Sequence, residues 1–438
     1  MLTLRGRGVL TAALAGFVLA LFTLNLIAIT IAVFALTFVT AELLLFARAT
    51  RTISAPSFRV GRTDLTSRLS AGGLGAARLQ LLYTGPHAFY AEITDSVPEV
   101  FEPVRGDSRL LTWWPEGATM TLSYVFRARA RGYYAIGPTE IVARDDLGLS
   151  FRRVTLRSES WVTVSPSAPE VTLRRSTLHL AARQAGQRPV ARRGYGTEFR
   201  SLRPYQEGDD YRWIAWARSR RGQLVVRQFE QESCQDFLAL ISLDRTMEAG
   251  VLGRTALDYA CEAGMVLADY IPRGGDRLGL YLGGADDARV FIPPGRSSQH
   301  AYRIGEALSV AAAQTRAPQL DEVLRQLPSL LHQPTHVFAF ATVPTDLAGF
   351  TSSLPAFHRA GHRLYFFPPD LSATYPEIGY SVGQALFERV QAHARTDAIA
   401  SRSTLRRLGL AVYPYDRDGA GGRILALYQQ IHLWGAGR

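Results

Sequence analysis

The stretch Gln235-Asp236-Phe237-Leu238-Ala239-Leu240-Ile241-Ser242-Leu243-Asp244-Arg245-Thr246 decides the fold of the largest domain of this chain. Phe237–Leu243 is too continuously apolar for a strand with one wet face, and the helical pattern Thr255–Ile271 follows it. A second strand, Leu278–Leu282, comes directly after Gly274-Gly275-Asp276-Arg277. Further strands are expected at Val337–Ala341, Leu364–Phe367 and Leu410–Tyr413. Helices are expected at Ala301–Ala313, Leu320–Gln326, Gly383–Ala394, Ser403–Leu408 and Ile424–Ile431. Buried strands alternating with helices read as a parallel sheet covered on both faces, an α/β Rossmann-like domain over residues 235–438.

Upstream, over residues 51–167, the period is two. In Thr119–Arg129, Met120, Leu122, Tyr124, Phe126 and Ala128 alternate with Thr121, Ser123, Val125, Arg127 and Arg129. Shorter runs of the same kind lie at Ala77–Tyr83, Ala88–Ile93, Tyr133–Ile136, Ile141–Ala143 and Trp161–Val164. Turn residues separate them (Thr84-Gly85-Pro86, Pro115-Glu116-Gly117, Gly137-Pro138, Asp145-Asp146), which predicts a small antiparallel β-sandwich. Nothing in it suggests catalysis, so it reads as an interaction or spacer module.

The first 50 residues form a separate class. From Gly8 to Ala41 there are 34 residues without a charge. One helix over Val9–Phe46 would be about 57 Å long at ~1.5 Å per residue, against a hydrocarbon core of ~30 Å. Two spans fit where one does not, with the turn near Thr23-Leu24-Asn25. A signal peptide would need an apolar core about half as long. Arg5 and Arg7 precede the run and Arg48 and Arg51 follow it, which predicts a cell-membrane protein with both ends and the soluble domains in the cytoplasm. Glu42 is read as snorkelling to the interface.

Residues 168–234 connect the two folded regions. The chain has no lysine, so all 49 of its cations are arginine and the formal charge is +11. Walker-A nucleotide binding, kinase phosphotransfer and Schiff-base chemistry all need a lysine amine and are excluded. Between Arg183 and Arg227 there are 11 arginines and four acids, Glu198, Glu207, Asp209 and Asp210, interleaved with Tyr195, Phe199, Tyr205, Tyr211, Trp213 and Trp216. Such a cluster either binds a polyanion or forms a lattice of guanidinium forks on carboxylates and rings. The acids inside the cluster favour the lattice, and nucleic acid is not the expected partner.

Gly196-Thr197-Glu198-Phe199, Leu202-Arg203-Pro204-Tyr205, Gly208-Asp209-Asp210, Arg212-Trp213-Ile214, Trp216 and Leu224-Val225-Val226-Arg227 together resemble the central signature of the domain-of-unknown-function 58 (DUF58) family. Arg131-Gly132-Tyr133-Tyr134 and Asp146-Leu147-Gly148-Leu149 resemble the end of that family's β domain. Leu243-Asp244, Thr255–Tyr259, Gly275–Leu280 and Pro293-Pro294-Gly295 resemble its von Willebrand factor A-like domain. Ala215 departs from the pattern, which usually has a carboxylate or amide there. The resemblance implies a membrane-anchored protein that works with a MoxR-type AAA+ ATPase and other membrane proteins. It marks Glu198, Phe199, Arg203, Tyr205, Gly208, Asp209, Asp210, Arg212, Trp216 and Arg227 as signature residues.

Related A-domains hold Mg²⁺ through Asp-x-Ser-x-Ser and oxygens from later loops. Here Asp244 and Thr246 match, Glu248 replaces the second serine, and Thr342 stands where a later aspartate would, with Asp346 displaced. The metal site is therefore read as degenerate, and no cofactor is expected. His358 and His362 are four apart, but Gly361 should end their helix and leave a surface pair. Gly194-x-Gly196 lacks the strand-to-helix setting of a dinucleotide loop, and no Gly-x-Ser-x-Gly elbow occurs. The expectation is a non-enzymatic, membrane-tethered assembly factor in envelope maintenance or stress response. Mg²⁺-dependent adhesion and binding of anionic lipid or another polyanion through the connector are the alternatives.

Overall fold

A computed structural model describes residues 2–438, except 24–25, 146, 168–198, 208, 220–223, 230–233, 285–288, 345–346, 371–398, 400–402, 408, 416–419 and 436–438. The chain divides into two compact units, Met1–Ser165 and Pro166–Arg438.

The first unit opens with helices α1 (Leu4–Thr23) and α2 (Leu26–Ala49), which pack on one another. Both are long and apolar enough to cross a membrane. Their apolar side chains face outward: Phe22 is 82%, Ile27 72% and Phe34 71% exposed, an arrangement that only a lipid phase makes stable. The break between them falls at the expected turn.

Eleven strands follow. β1 (Phe58–Thr63), β3 (Leu74–Tyr83), β7 (Thr119–Ala128) and β5 (Phe101–Gly106) make one antiparallel sheet, in the order β1-β3-β7-β5. β10 (Phe151–Leu156), β9 (Thr139–Arg144), β4 (Phe89–Asp95) and β6 (Arg109–Trp114) make a second, in that order. A third contains β2 (Arg68–Ser70), β11 (Ser160–Ser165) and β8 (Gly132–Ile136), with the β2–β11 pair parallel. The first two sheets close on Leu79, Leu81, Tyr83, Phe89, Ile93, Trp114, Leu122, Ile141 and Leu156. Each such side chain contributes roughly 1.5–3 kcal/mol by leaving water.

Where the sheets meet, Arg62 and Asp95 form a buried ion pair at 2.7 Å. Asp95 also accepts the Tyr124 hydroxyl (2.7 Å) and the Thr139 hydroxyl (3.1 Å). Arg62 Nη1 donates to the Ile136 and Ser158 carbonyls, which offsets part of the cost of burying the pair.

β1, β2, β5, β6 and β10 had no separate sequence signal. In β6 both faces carry apolar residues (Leu111 and Trp113 outward, Trp114 inward), and β5 contains Pro103 beside a register shift. Period two is lost in each case.

The second unit is built on a six-stranded sheet. β14 (Asp236–Ser242), β17 (Arg277–Gly283), β18 (Val290–Gly295), β19 (Thr335–Phe340), β20 (Arg363–Phe367) and β21 (Ala411–Val412) lie in the order β18-β17-β14-β19-β20-β21. Counted within the sheet, the order is 3-2-1-4-5-6, that of a doubly wound α/β domain. Edge strand β18 is antiparallel to β17, which corrects the expectation of a wholly parallel sheet. Its two prolines sit where a missing donor is tolerated.

Helices α3 (Ala256–Arg273), α4 (Ser298–Val310) and α7 (Ala420–Gly435) cover the face bearing Phe237, Ala239 and Ile241. α5 (Leu320–Leu330) and α6 (Leu347–Arg359) cover the face bearing Leu238 and Leu240. Burial on both faces is why 237–243 reads as continuously apolar. A two-residue antiparallel hairpin, β15 (Gly250–Val251) and β16 (Arg254–Thr255), leads into α3, which Thr255 begins with a capping box, exchanging bonds with Asp258. A short helix covers 403–407, and the expected Gly383–Ala394 helix lies outside the described residues.

At the start of the strands, buried Asp276 accepts the Gln235 amide (2.9 Å), the Tyr428 hydroxyl (3.0 Å) and His432 Nδ1 (2.8 Å), fastening α7 to the sheet. That hydrogen bond raises the His432 pKa. Burial, with Arg363 adding to it, pushes His336 down to about 4 from 6.5. The signs oppose. Between 6.5 and about 4 the unfolded chain takes up a proton that folded His336 refuses, so this group lowers stability as pH falls through that window. His432 contributes stability that is full below 6.5 and lost as pH rises through its raised value. In thermal melts of the full chain in detergent, His336→Gln should therefore lose less stability than the parent between pH 6.5 and about 4.

Candidate functional site

The signature block folds as a ribbon. β12 (Phe199–Pro204) pairs antiparallel with β13 (Val225–Phe229), and between them Tyr211–Trp213 and Trp216–Arg218 form two short 3-10 turns. Arg203 forks onto Asp209, with Nη1 at 2.7 Å from Oδ2 and Nη2 at 2.6 Å from Oδ1. The same carboxylate accepts the Gln206 amide at 2.9 Å, and Arg203 also donates to the Pro204 carbonyl at 3.0 Å. Asp210 caps the first turn by accepting the Arg212 amide (3.0 Å), and the Arg212 guanidinium stands 3.7 Å from it.

Ile214, Ala215 and Val226 form the buried part of the ribbon. Ala215 donates its amide to the Val225 carbonyl, and its own carbonyl accepts the Ser219 hydroxyl. At this position an apolar side chain is enclosed and the backbone does the bonding.

Other residues of the block stand apart from this network. Trp216 is 67% and Tyr211 70% exposed, and Tyr205, Arg218 and Arg227 are exposed as well. Glu198, Gly208, and the side chains of Phe199 and Arg200 lie outside the described residues. The structure thus brings Arg203 together with Asp209, and Arg212 with Asp210, and turns two large aromatic rings to solvent.

A second cluster sits at the carboxyl ends of β14 and β19, the crevice where ligands bind in open α/β sheets. Asp244 Oδ1 accepts the Thr246 amide (2.9 Å) and hydroxyl (2.6 Å), and the Thr246 hydroxyl lies 3.0 Å from that of Thr342. The threonine after β19, read as a mismatch, therefore closes the group. Glu248 is exposed, and Asp346 lies outside the described residues. One carboxylate and two hydroxyls already bonded to one another form a closed cap, whereas Mg²⁺ needs lone pairs directed at a common centre. Among the described residues no three His, Cys, Asp or Glu side chains form a metal cluster.

His362 corrects the expected surface pair. It is buried after Gly361, whose φ of +89° ends the helix, and its Nδ1 accepts the Thr335 amide at 3.2 Å. His358 is exposed on α6.

Residues 201–357 match DUF58, a protein family of unknown function. The resemblance holds over this segment, which runs from the signature ribbon through four strands of the six-stranded sheet. No protein of curated function matches the chain. Among solved structures, an aerotolerance-related membrane protein from Bacteroides fragilis is 11% identical over 45% of this chain and 98% of its own, with TM-score 0.29. The VWA domain of SpRpn10 is 9% identical over 44% and 95%, with TM-score 0.27. A fragment of alpha-2-macroglobulin from Escherichia coli is 18% identical over 27% of this chain, with TM-score 0.22; the chain spans 18% of that fragment's length.

Two substitutions test the clusters of the second unit. Asp209→Ala removes the fork and the Gln206 acceptor, and should cost about 1–3 kcal/mol of local stability, read as faster hydrogen exchange in β12 and β13. Asp244→Ala should cost about 1 kcal/mol through the lost cap, and Mg²⁺ should leave the melting temperature of parent and variant unchanged.

Proposed function

We propose that this chain is a membrane-anchored, non-enzymatic assembly factor whose von Willebrand A-like domain engages other proteins. One observation carries the reading: the described signature acids, Asp209 and Asp210, are engaged in internal bonds. Both oxygens of Asp209 face the Arg203 fork, and Asp210 and Asp244 cap the turns that follow them. A carboxylate whose two oxygens are taken up by a guanidinium fork is geometrically suited to act as a strut. Exposed Trp216 and Tyr211 beside it have the chemistry of protein-recognition anchors, large and apolar with one polar tip.

The apolar hairpin α1–α2 tethers the chain, and the arginines flanking both spans support an orientation with the soluble domains in the cytoplasm. The signature's resemblance supplies the partner: a MoxR-type AAA+ ATPase, to which this chain presents clients in envelope maintenance or stress handling. The full chain, extracted in mild detergent with the ATPase co-expressed, should retain it on affinity resin. A chain truncated before Gln235 should lose it, and equal recovery with both would refute the assignment. Trp216→Ala should reduce recovery at least about tenfold if the ring is a central anchor.

A further inference from the structure

The amino terminus and one end of the β-sandwich are knitted together. Thr3 donates its amide to the Leu149 carbonyl (2.9 Å) and its hydroxyl to the Gly148 carbonyl (2.7 Å), and Leu2 bridges Ser150. Gly6 lies so close that an added Cβ would stand 2.0 Å from the Leu149 oxygen. Past α2, Ile53 enters the sandwich core at 1% exposure, and the Ser57 carbonyl accepts the Thr84 amide at 2.9 Å. Both ends of the hairpin are thus fixed to the end of the sandwich that carries the turns 84–88, 115–118 and 145–150.

Strand register then ranks the outward side chains of the β10-β9-β4-β6 sheet by distance from that end. The first row is Phe151, Arg144, Tyr90 and Trp113. The next is Arg153, Val142, Glu92 and Leu111, and the last is Thr155, Glu140, Thr94 and Arg109. Tyr90 and Trp113 are 44% and 45% exposed, with ring centroids 4.7 Å apart. Leu111 is 68% exposed, and Leu147, on the docking turn itself, 50%.

The charges on this face are paired among themselves: Glu92 takes both Arg109 and Arg144, and Arg153 pairs with Glu140, so three arginines against two glutamates leave a net +1. The aromatic rings Phe151, Tyr90 and Trp113 all lie in the row beside the hairpin, with Arg144, and the two rows beyond have no ring.

We infer that this end of the sheet is a lipid-interface contact, with Tyr90, Trp113, Leu111 and Leu147 entering the headgroup layer of the bilayer that holds α1 and α2. The inference rests on the membrane tether of the proposed function. Trp and Tyr concentrate at that depth because each has an apolar ring and a polar handle. Trp113 and Leu111 are about 7 Å apart along the strand. The headgroup layer on one side of a bilayer is about 5–8 Å thick. Continuity with the spans makes the bilayer the occupant, since its surface must pass the turn that grips Thr3.

The test uses the full chain with Cys234→Ser; Cys261, the other cysteine, is buried. Spin labels are placed singly at Leu111, Thr155 and Phe34 in nanodiscs containing anionic phospholipid. Phe34, within α2, reports the membrane itself. The ratio of oxygen to water-soluble nickel-complex accessibility should be highest at 34, at least about twofold higher at 111 than at 155, and should fall at 111 on adding Trp113→Glu. A ratio at 111 equal to that at 155, with 34 still deep, would overturn the interface contact and leave the tether standing. Dipolar broadening at 111 that vanishes on dilution with unlabelled chain would overturn it in favour of a second copy. A water-exposed label at 34 would overturn the tether and this inference together.

Discussion

A backbone hydrogen bond from Thr3 to Leu149 joins a helix that must live in lipid to a sandwich that must live in water. Main-chain pairing tolerates no rotation of one piece against the other, and Ile53 in the core closes the second attachment. The tether is therefore a fixed mount. Everything on the sandwich acquires a defined height above the bilayer, which is why the placement of Tyr90 and Trp113 has consequences that an isolated domain would not have.

The α/β unit applies the same economy of polar groups. Among the described residues, Asp236 faces Arg277 at 2.6 Å, Asp276 gathers Gln235, Tyr428 and His432, and Asp209 holds Arg203. In the sandwich, Asp95 does this for Arg62. A chain whose cations are all arginine favours such forks, because guanidinium is planar, always charged and matched to two carboxylate oxygens. In each unit these acids hold the backbone and side chains of separate segments in place.

Much of this was legible beforehand, for physical reasons. The break between two spans follows from length against bilayer thickness. The strands at 119–128 and 236–242 follow from a period of two and from an unbroken apolar run. The Arg203 fork was readable as a class of interaction, since four acids lay among 11 arginines, although its pairing was not. β6 escaped because Leu111 and Trp113 point outward opposite Trp114, so both faces read as core. β18 escaped because Pro293 and Pro294 argue against a strand until the strand is known to be an edge. His362 was misread because its burial comes from β19, remote in the chain.

The sequence alone determined that this protein has an apolar hairpin, a β region, an arginine-rich signature and an α/β region, because each rests on local period, length or composition. Tertiary structure alone decided which Asp meets which Arg, that Thr342 closes on Thr246, and that Tyr90 and Trp113 share the end of the sandwich that grips Thr3. Those are encounters between residues distant in the chain, governed by strand register and sheet order, and no local pattern encodes them.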